Sequence, residues 1–429
     1  MKLDAKTLAI NGGTPVRPHE KKWLDNITTG VEEKEALARV IDSGYLSLYE
    51  GSHTPDEPFS FIGGPEVQAL EKEWADLYGT KHAIAMNSAT SGLFAAIAAL
   101  GIGYGDEVIV SPYTMTACAL APLIYGAIPV FADVLGTTGS LDPASIKQKI
   151  SPNTKAIIVV HQFGIPADMI AINEIAREFG IKVIEDCAQA HGAKVGDFFV
   201  GSLGDIGVFS LNVNKTIQAG EGAVCTTNDD DLAYRLQLVR NHGEAVVGPA
   251  GYQNITNIAG YNYRLTELGA AVARVQLLKL SGLNGQRLKM VDHFKSGIRG
   301  LDFISPLEDH SSNHSTYYVM PFRFDENIAK VSRSEFISAV NAEGAMFYQG
   351  YVKPLYFQPL YQKKHLFKGG YPFSAPLNRN LRMEYGEGTC PIAEKLHFKE
   401  MVINEHVRLP NTMEDIDDLL SCMYKVAGV

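Results

Sequence analysis

The strongest constraint on the fold is an alternation of segment types between about Ala69 and Ala223. Segments with helically spaced apolar residues trade places there with short β-branched runs. Residues 71–78, 91–100, 116–125, 142–149 and 169–179 read as helices, and 107–110, 129–131, 156–160 and 182–185 as strands. The strand runs are apolar throughout, as strands covered on both faces must be, and the alternating order predicts an α/β architecture with a mostly parallel sheet. Ligands of such sheets gather at the carboxyl ends of the strands. Asp186 follows one run, and Ser210 closes another at 207–209, so both are placed for a ligand site.

Beyond this region the pattern changes. A strand at 223–227 and a helix at 230–240 precede a loop at 241–261 rich in Gly and Asn. A long amphipathic helix then starts near Leu265 and runs past Leu278, the natural bridge to a second domain. Charge and aromatic content rise from about Gly282, with a strand at 317–324, helices at 334–342 and 413–426, and a tyrosine-dense loop at 348–371. The divisions expected are an N-terminal arm (1–30), a large domain (31–280) and a smaller C-terminal domain (281–429).

A chain of 429 residues, 46% hydrophobic, can bury a large core. Its net charge of −10 is spread along the chain, which argues against a nucleic-acid partner. The longest apolar runs, 95–100 and 157–160, are too short to cross a bilayer, and the first residues lead into no signal core. No membrane and a cytoplasmic location are the default expectation. Cys118, Cys187, Cys225, Cys390 and Cys422 are odd in number and lack CxxC spacing, so neither a disulfide framework nor a metal site is indicated.

The residues that carry chemistry centre on Lys215, 29 positions after Asp186. A lysine alone reads as a solvated side chain. Here it follows a β-type run and precedes Gly220-Glu221-Gly222, with an acid at the end of an earlier strand. That layout can hold pyridoxal phosphate: the amine forms a Schiff base and the carboxylate keeps the pyridine nitrogen protonated. Ser210 can donate to the phosphate. So can the helix start after Asn87-Ser88, where backbone N–H groups are reinforced by the Thr90 and Ser91 hydroxyls. Gln189 is placed for the ring hydroxyl or a neighbouring water, and His191 reads as structural. Gly101-Ile102-Gly103-Tyr104-Gly105-Asp106 follows a helix and precedes a strand, the reverse of a nicotinamide-binding loop, so it reads as a helix stop and tight turn.

These blocks together resemble the DegT/DnrJ/EryC1/StrS family of sugar aminotransferases, a branch of the fold-type-I pyridoxal-phosphate enzymes. The likeness extends from about Leu8 to Leu420 and includes NSATSGLFAAIAALG, VIEDCAQAHGA, GSLGDIGVFSLNVNK and GYNYRLTELGAAVARVQL. It implies a large domain with a mostly parallel seven-stranded sheet and a smaller α+β C-terminal domain. It also implies that Lys215 is the Schiff-base lysine and proton shuttle, Asp186 the pyridinium partner and Gln189 the ring-hydroxyl neighbour. Thr90, Ser91 and Ser210 become phosphate ligands, joined by Asn262 reaching in from the neighbouring subunit of a homodimer. Arg264 lies in the same loop. The ring-stacking position, usually aromatic, is Met115, so the stacking surface is its thioether or nearby Tyr113. The usual GEGG or GDGG is GEGA, ending in Ala223.

The activity so implied is ping-pong transamination from glutamate or glutamine to a keto-sugar. HSTYYVMPFRFD and CPIAEKLHF look like the subgroup that handles keto-inositols, whereas most of the family takes nucleotide-linked keto-hexoses. A pyridoxamine-dependent dehydratase of the same fold would carry histidine where Lys215 stands, and a non-catalytic cofactor-binding regulator would carry a basic DNA-reading element.

Overall fold

A computed structural model describes residues 1–309 and 313–429. The large sheet uses β1 (His82–Met86), β2 (Glu107–Val110), β3 (Ile128–Phe131), β4 (Thr154–Val160) and β5 (Lys182–Asp186). After a small hairpin, β6 (Lys194–Val195) and β7 (Phe198–Phe199), it is completed by β8 (Ile206–Ser210) and β9 (Ala223–Thr227). The seven strands run in the order β1-β9-β8-β5-β4-β2-β3. The β8-β5-β4-β2-β3 pairings are parallel, while β9 is antiparallel to both neighbours. The expected mostly parallel seven-stranded sheet is therefore present.

Strand β1 is absent from the sequence reading because His82-Ala83-Ile84-Ala85-Met86 is short and carries a single β-branched residue. The sheet supplies what propensity lacks: β1 is zipped to β9 over five residue pairs. Both faces are covered by helices, among them α1 (Val31–Ser43), α2 (Pro65–Tyr78), α3 (Ala89–Ala99), α4 (Ala117–Ile124), α5 (Pro143–Lys149), α6 (Met169–Phe179) and α7 (Asp230–Arg240). α2 starts six residues before the expected boundary, with Pro65 pre-set for its first turn. α3 is built almost wholly of small residues and lies directly on the sheet. A Cβ on its Gly92 would stand 2.8 Å from Val208 Cγ1 and 3.0 Å from Cys225 Sγ. That close seating fixes the α3 amino terminus at the carboxyl end of β1.

The loop expected at 241–261 contains α8 (Val247–Ala250), and the long helix that follows is α9 (Glu267–Gly297), 31 residues capped by Thr266 Oγ1, which accepts from Gly269 N at 3.1 Å. α9 passes from the large sheet to a four-stranded antiparallel sheet in the order β10-β12-β14-β13. Its strands are β10 (Ile304–Pro306), β12 (Met320–Phe324), β13 (Phe347–Gln349) and β14 (Met401–Asn404), while β11 (Asn313–His314) pairs with β6. Phe294 of α9 packs edge-on to Phe322 of β12, joining helix and sheet.

Two expectations in this part are corrected. The strand expected from Tyr317 begins at Met320, because Tyr317 sits at φ +48°, a left-handed conformation that no strand accepts. The tyrosine-dense stretch is not all loop: it holds β13 and the short helix Pro359–Gln362.

Candidate active site

A cleft of about 440 Å³ opens where β5 and β8 end and α3 begins, with Tyr318 and Tyr351 on its far wall. Lys215 lies on the loop that joins antiparallel β8 to β9. That loop is held across its width by Leu211 N to Gly222 O (2.8 Å) and Val213 N to Gly220 O (2.9 Å), and its tip turns through Lys215 N to Asn212 O (2.9 Å). Asn26, from the N-terminal segment, donates its side-chain amide to the Lys215 carbonyl at 2.8 Å. The amine itself stands 4.5 Å from the centre of the Tyr318 ring. Burial lowers its pKa from the usual lysine value, and the charge of Asp186 opposes that shift only in part. A lysine so desolvated is available as a neutral nucleophile at lower pH than an exposed one.

Asp186 is the last residue of β5 and is buried. Its Oδ1 accepts from Ala188 N at 3.0 Å and its Oδ2 from the Cys118 thiol at 3.0 Å. Burial, with the adjacent Asp186 charge, raises the Cys118 pKa well above the usual thiol range, so Cys118 stays protonated as a donor and orients the carboxylate.

Gln189 spends both ends of its amide. Oε1 accepts from Phe163 N at 2.7 Å, and Nε2 donates to the Tyr351 hydroxyl at 2.8 Å, which leaves the Tyr351 proton free for a group in the cleft. Phe163 at φ +61° and Gly164 at φ +85° form the turn that makes this possible, and Tyr317 answers it. Thr316 N donates to Gly164 O (2.9 Å) and Tyr318 N to Phe163 O (2.8 Å), which sets the Tyr318 ring beside Lys215. A Cβ at Gly164 would meet Tyr317 N at 2.8 Å.

At the other end of the cleft, Ser88 caps α3 by accepting from Ser91 N at 3.1 Å. Ala89 and Thr90, whose N–H groups have no intrahelical acceptor, line the cleft together with Ser210. The Ser210 oxygen accepts from Asn212 N at 3.3 Å and keeps its own proton to donate. Ser91 is placed differently from Thr90: it is buried, and its hydroxyl donates to Asn87 Oδ1 at 2.6 Å as part of the cap. Met115 is 54% exposed on the cleft wall, whereas Tyr113 is fully buried beneath it, edge-on to Tyr351. Of the two candidate stacking surfaces, the thioether is the one that reaches the cleft.

Asn262 does not line this chain's own cleft. It is exposed, and its loop is pinned beside the α3 start, where Asn87 N donates to Tyr263 O (2.8 Å) and Asn87 Nδ2 to Asn262 O (3.2 Å). Arg264 borders a neighbouring hollow with Asn87 and Glu221.

Cys118, Tyr318 and Asn26 were not among the expected site residues. Tyr351 belongs to a stretch already conspicuous for tyrosine, and Cys118 follows the Met115 motif on the next helix turn. Asn26 carries no signal at all, since its role depends on a contact 189 residues away in sequence.

Two buried histidines are structural. His161 Nδ1 accepts from Ala167 N (3.1 Å), so its Nε2 carries the proton donated to Glu185 (3.0 Å). Glu185 also accepts from the N–H groups of Gly201, Leu203 and Gly204 at 2.6–2.9 Å. Cys187 lies beside this pair, but the Glu185 and His161 lone pairs are spent on protein donors. His191 packs against Trp74 and Phe209 with no partner for either ring nitrogen among the described residues, and burial pushes its pKa down to about 3.

The folded protein thus excludes a proton that the unfolded chain takes up at the ordinary value of 6.5. Stability contributed by neutral His191 is complete above that value and is lost as pH falls toward about 3. His191→Leu should flatten the acid side of the stability curve. Urea unfolding at neutral pH and at about pH 4.5 tests this, and an equally steep acid loss in the variant would count against it.

A sheet covered on both faces, with a desolvated lysine, a buried acid and a bare helix start converging on one cleft, defines the fold-type-I class of pyridoxal-phosphate-dependent transferases. Within that class the chain belongs to the DegT/DnrJ/EryC1/StrS aminotransferase family, whose profile matches residues 57–379. It is similar to the spore coat polysaccharide biosynthesis protein SpsC of Bacillus subtilis, 32% identical over 345 residues (79% of this chain, 85% of that protein). It is 39% identical over 286 residues to a UDP-N-acetyl-3-dehydro-alpha-D-glucosamine 3-aminotransferase of Acidithiobacillus ferrooxidans (66% of this chain, 74% of that protein). The X-ray structure of an aminotransferase from Psychrobacter cryohalolentis superposes with a TM-score of 0.80 at 27% identity, covering 94% of this chain and 98% of that one. Among the described residues, no helix is long and apolar enough to cross a membrane.

Proposed function

We propose that the protein uses pyridoxal phosphate to move an amino group from glutamate or glutamine to a ketone on a sugar. The observation that carries this reading is the convergence, on a single cleft, of the Lys215 amine, the Asp186 carboxylate and the α3 amino terminus. When bound, pyridoxal phosphate supplies an aldehyde for an amine to attack and a ring that accepts electrons. The chain's own residues do the rest. Lys215 Nζ would hold the aldehyde and, once freed, would serve as the base that moves a proton to or from the substrate carbon. Asp186, its carboxylate held in place by Cys118 and Ala188 N, would keep a proton on the ring nitrogen. The Ala89 and Thr90 N–H groups and the Ser210 hydroxyl bind the phosphate. The Met115 thioether would offer an apolar surface for the ring, and Tyr351, aimed by Gln189, would have its proton free for the ring hydroxyl.

The A. ferrooxidans relative favours a nucleotide-linked keto-sugar as acceptor. The 314–325 and 390–398 segments favour a keto-cyclitol. Supplying the pyridoxamine form with a panel of both classes, and following return of the aldehyde form's visible absorbance, separates them; no response to any ketone would reject sugar transamination. A homodimer with shared sites accounts for the exposed Asn262 beside the α3 start, from which it reaches a partner's phosphate. Sedimentation of active protein at the mass of one chain would remove that part of the reading.

A further inference from the structure

What the Lys215 amine meets in the cleft is an aromatic face. Among the described residues Nζ makes no hydrogen bond and no ion pair, and Asp186 acts on it only as a charge. The Tyr318 ring, which lines the same cleft, lies under it, 4.5 Å from nitrogen to ring centre. That is within the distance at which a cation is drawn to the negative face of a ring. The attraction needs a full charge, so it favours the ammonium over the neutral amine.

The ring is held there by strained backbone. Phe163 at φ +61° and Tyr317 at φ +48° both carry large side chains in the left-handed region. Their turns lock together through Tyr318 N to Phe163 O (2.8 Å) and Thr316 N to Gly164 O (2.9 Å). Tyr317 spends its hydroxyl on Lys295 Nζ, from which it accepts at 2.6 Å, and Phe163 packs edge-on to Tyr351. Strain of this kind persists only where the surroundings fix it, and here it seats Tyr318 against the amine.

The titratable groups around the amine offer it no direct partner among the described residues. Asp186 ends β5 with Cys118 of α4 bonded to it, Tyr351 and Glu221 line the cleft, and His191 is close enough to feel the Lys215 charge. Burial keeps Cys118 and Tyr351 protonated and His191 neutral. Arg287 of α9, lowered to about 10 chiefly by burial, donates to Thr216 Oγ1 at 2.9 Å. Burial raises the Tyr318 phenol, and the charges of Arg408, Glu405 and Arg287 bear on it in turn.

We propose that the face of Tyr318 receives the Lys215 ammonium once a substrate amine has displaced it, holding the charge that Nζ gains with the proton from the substrate carbon. The inference deepens the aminotransferase reading and rests on it for the source of that proton. In this step a substrate C–H bond breaks, its electron pair stays on the substrate side, and the proton arrives on Nζ. A neutral amine thereby becomes a cation inside a buried cleft, which desolvation disfavours. An aromatic face offsets part of that cost without fixing the proton. A carboxylate in the same place would keep the amine charged and useless as a base.

Trace acetylation of the cofactor-free, full-length protein across a pH series, quantified on the Lys215 peptide by mass spectrometry, reports how this amine titrates. Tyr318→Leu should lower its pKa by about one pH unit, and Tyr318→Phe, which keeps the ring, should stay within about 0.3 of the parent. A ring that merely covered the amine would, when removed, admit water and let the pKa rise toward the ordinary 10.5. With cofactor bound, the acid limb of the single-turnover reaction with L-glutamate or L-glutamine should move down by the same amount in Tyr318→Leu. Its plateau rate should fall about threefold, since the base is weaker. Should Tyr318→Leu fail to fold, 3,4,5-trifluorophenylalanine at position 318 keeps the ring's shape while withdrawing charge from its face. It should lower the Lys215 pKa by at least about half a pH unit relative to Tyr318→Phe. An unchanged or raised pKa on loss or fluorination of the ring overturns the proposal. The expected fall in a protein that takes up no pyridoxal phosphate and reacts with neither donor would leave the ring's hold on the ammonium standing and remove the aminotransferase reading.

Discussion

Lys215→Ala is expected to abolish both cofactor attachment and amino transfer. The purified protein should be yellow and the variant colourless after dialysis, because among the described residues Lys215 carries the only side-chain amine that lines the cleft. The lost nucleophile and proton carrier together should lower the rate by about 10⁴-fold or more. A second readout separates this from misfolding. Burial lowers the Lys215 pKa, so the charged amine destabilises the cofactor-free fold below its folded pKa, and that cost fades as pH rises toward the ordinary 10.5. At neutral pH the cofactor-free alanine variant should therefore melt no lower than the cofactor-free parent. Retained colour with retained transfer would remove Lys215 from the mechanism.

Asp186→Asn is expected to keep the cofactor attached and lose most of the activity. The asparagine oxygen can still accept from Ala188 N, while its amide NH2 takes the place of the oxygen that accepts from the Cys118 thiol, and the sulfur can turn its proton away and accept instead. What disappears is the negative charge that holds a proton on the ring nitrogen. Breaking a buried charge pair on one side costs about 4 kcal/mol, which corresponds to about 10³-fold in rate. Asp186 is also the group that raises the Lys215 pKa, so the free amine of the variant should titrate lower still. Single-turnover kinetics at saturating donor, with the visible spectrum recorded beforehand, test this. A fully active variant would mean that the charge is irrelevant to the chemistry.

Much of the large sheet was legible because its strands and helices are locally consistent. The runs at 107–110, 169–179, 223–227 and 230–240 have the expected boundaries. That Lys215, Asp186, Ser210 and Thr90 could share one cleft was legible for a related reason: each follows, closes or opens an element whose period is readable, and parallel sheets bring such ends together. The elements misjudged are those in which tertiary contacts overrule local preference. β1 is a weak strand former made a strand by its pairing with β9, and Tyr317 is an aromatic residue held left-handed by the 163–164 turn.

From sequence alone followed the architecture, the family and the lysine and acid at its centre, because alternating hydrophobic periods and fixed motif spacings are properties of consecutive residues. Only the tertiary structure decided that Met115 rather than Tyr113 reaches the cleft, that a thiol orients Asp186, and that Gln189 aims Tyr351. Each of these depends on which side chains burial leaves paired across distant parts of the chain, and a desolvated charge shows its missing partner only when every neighbour has a position.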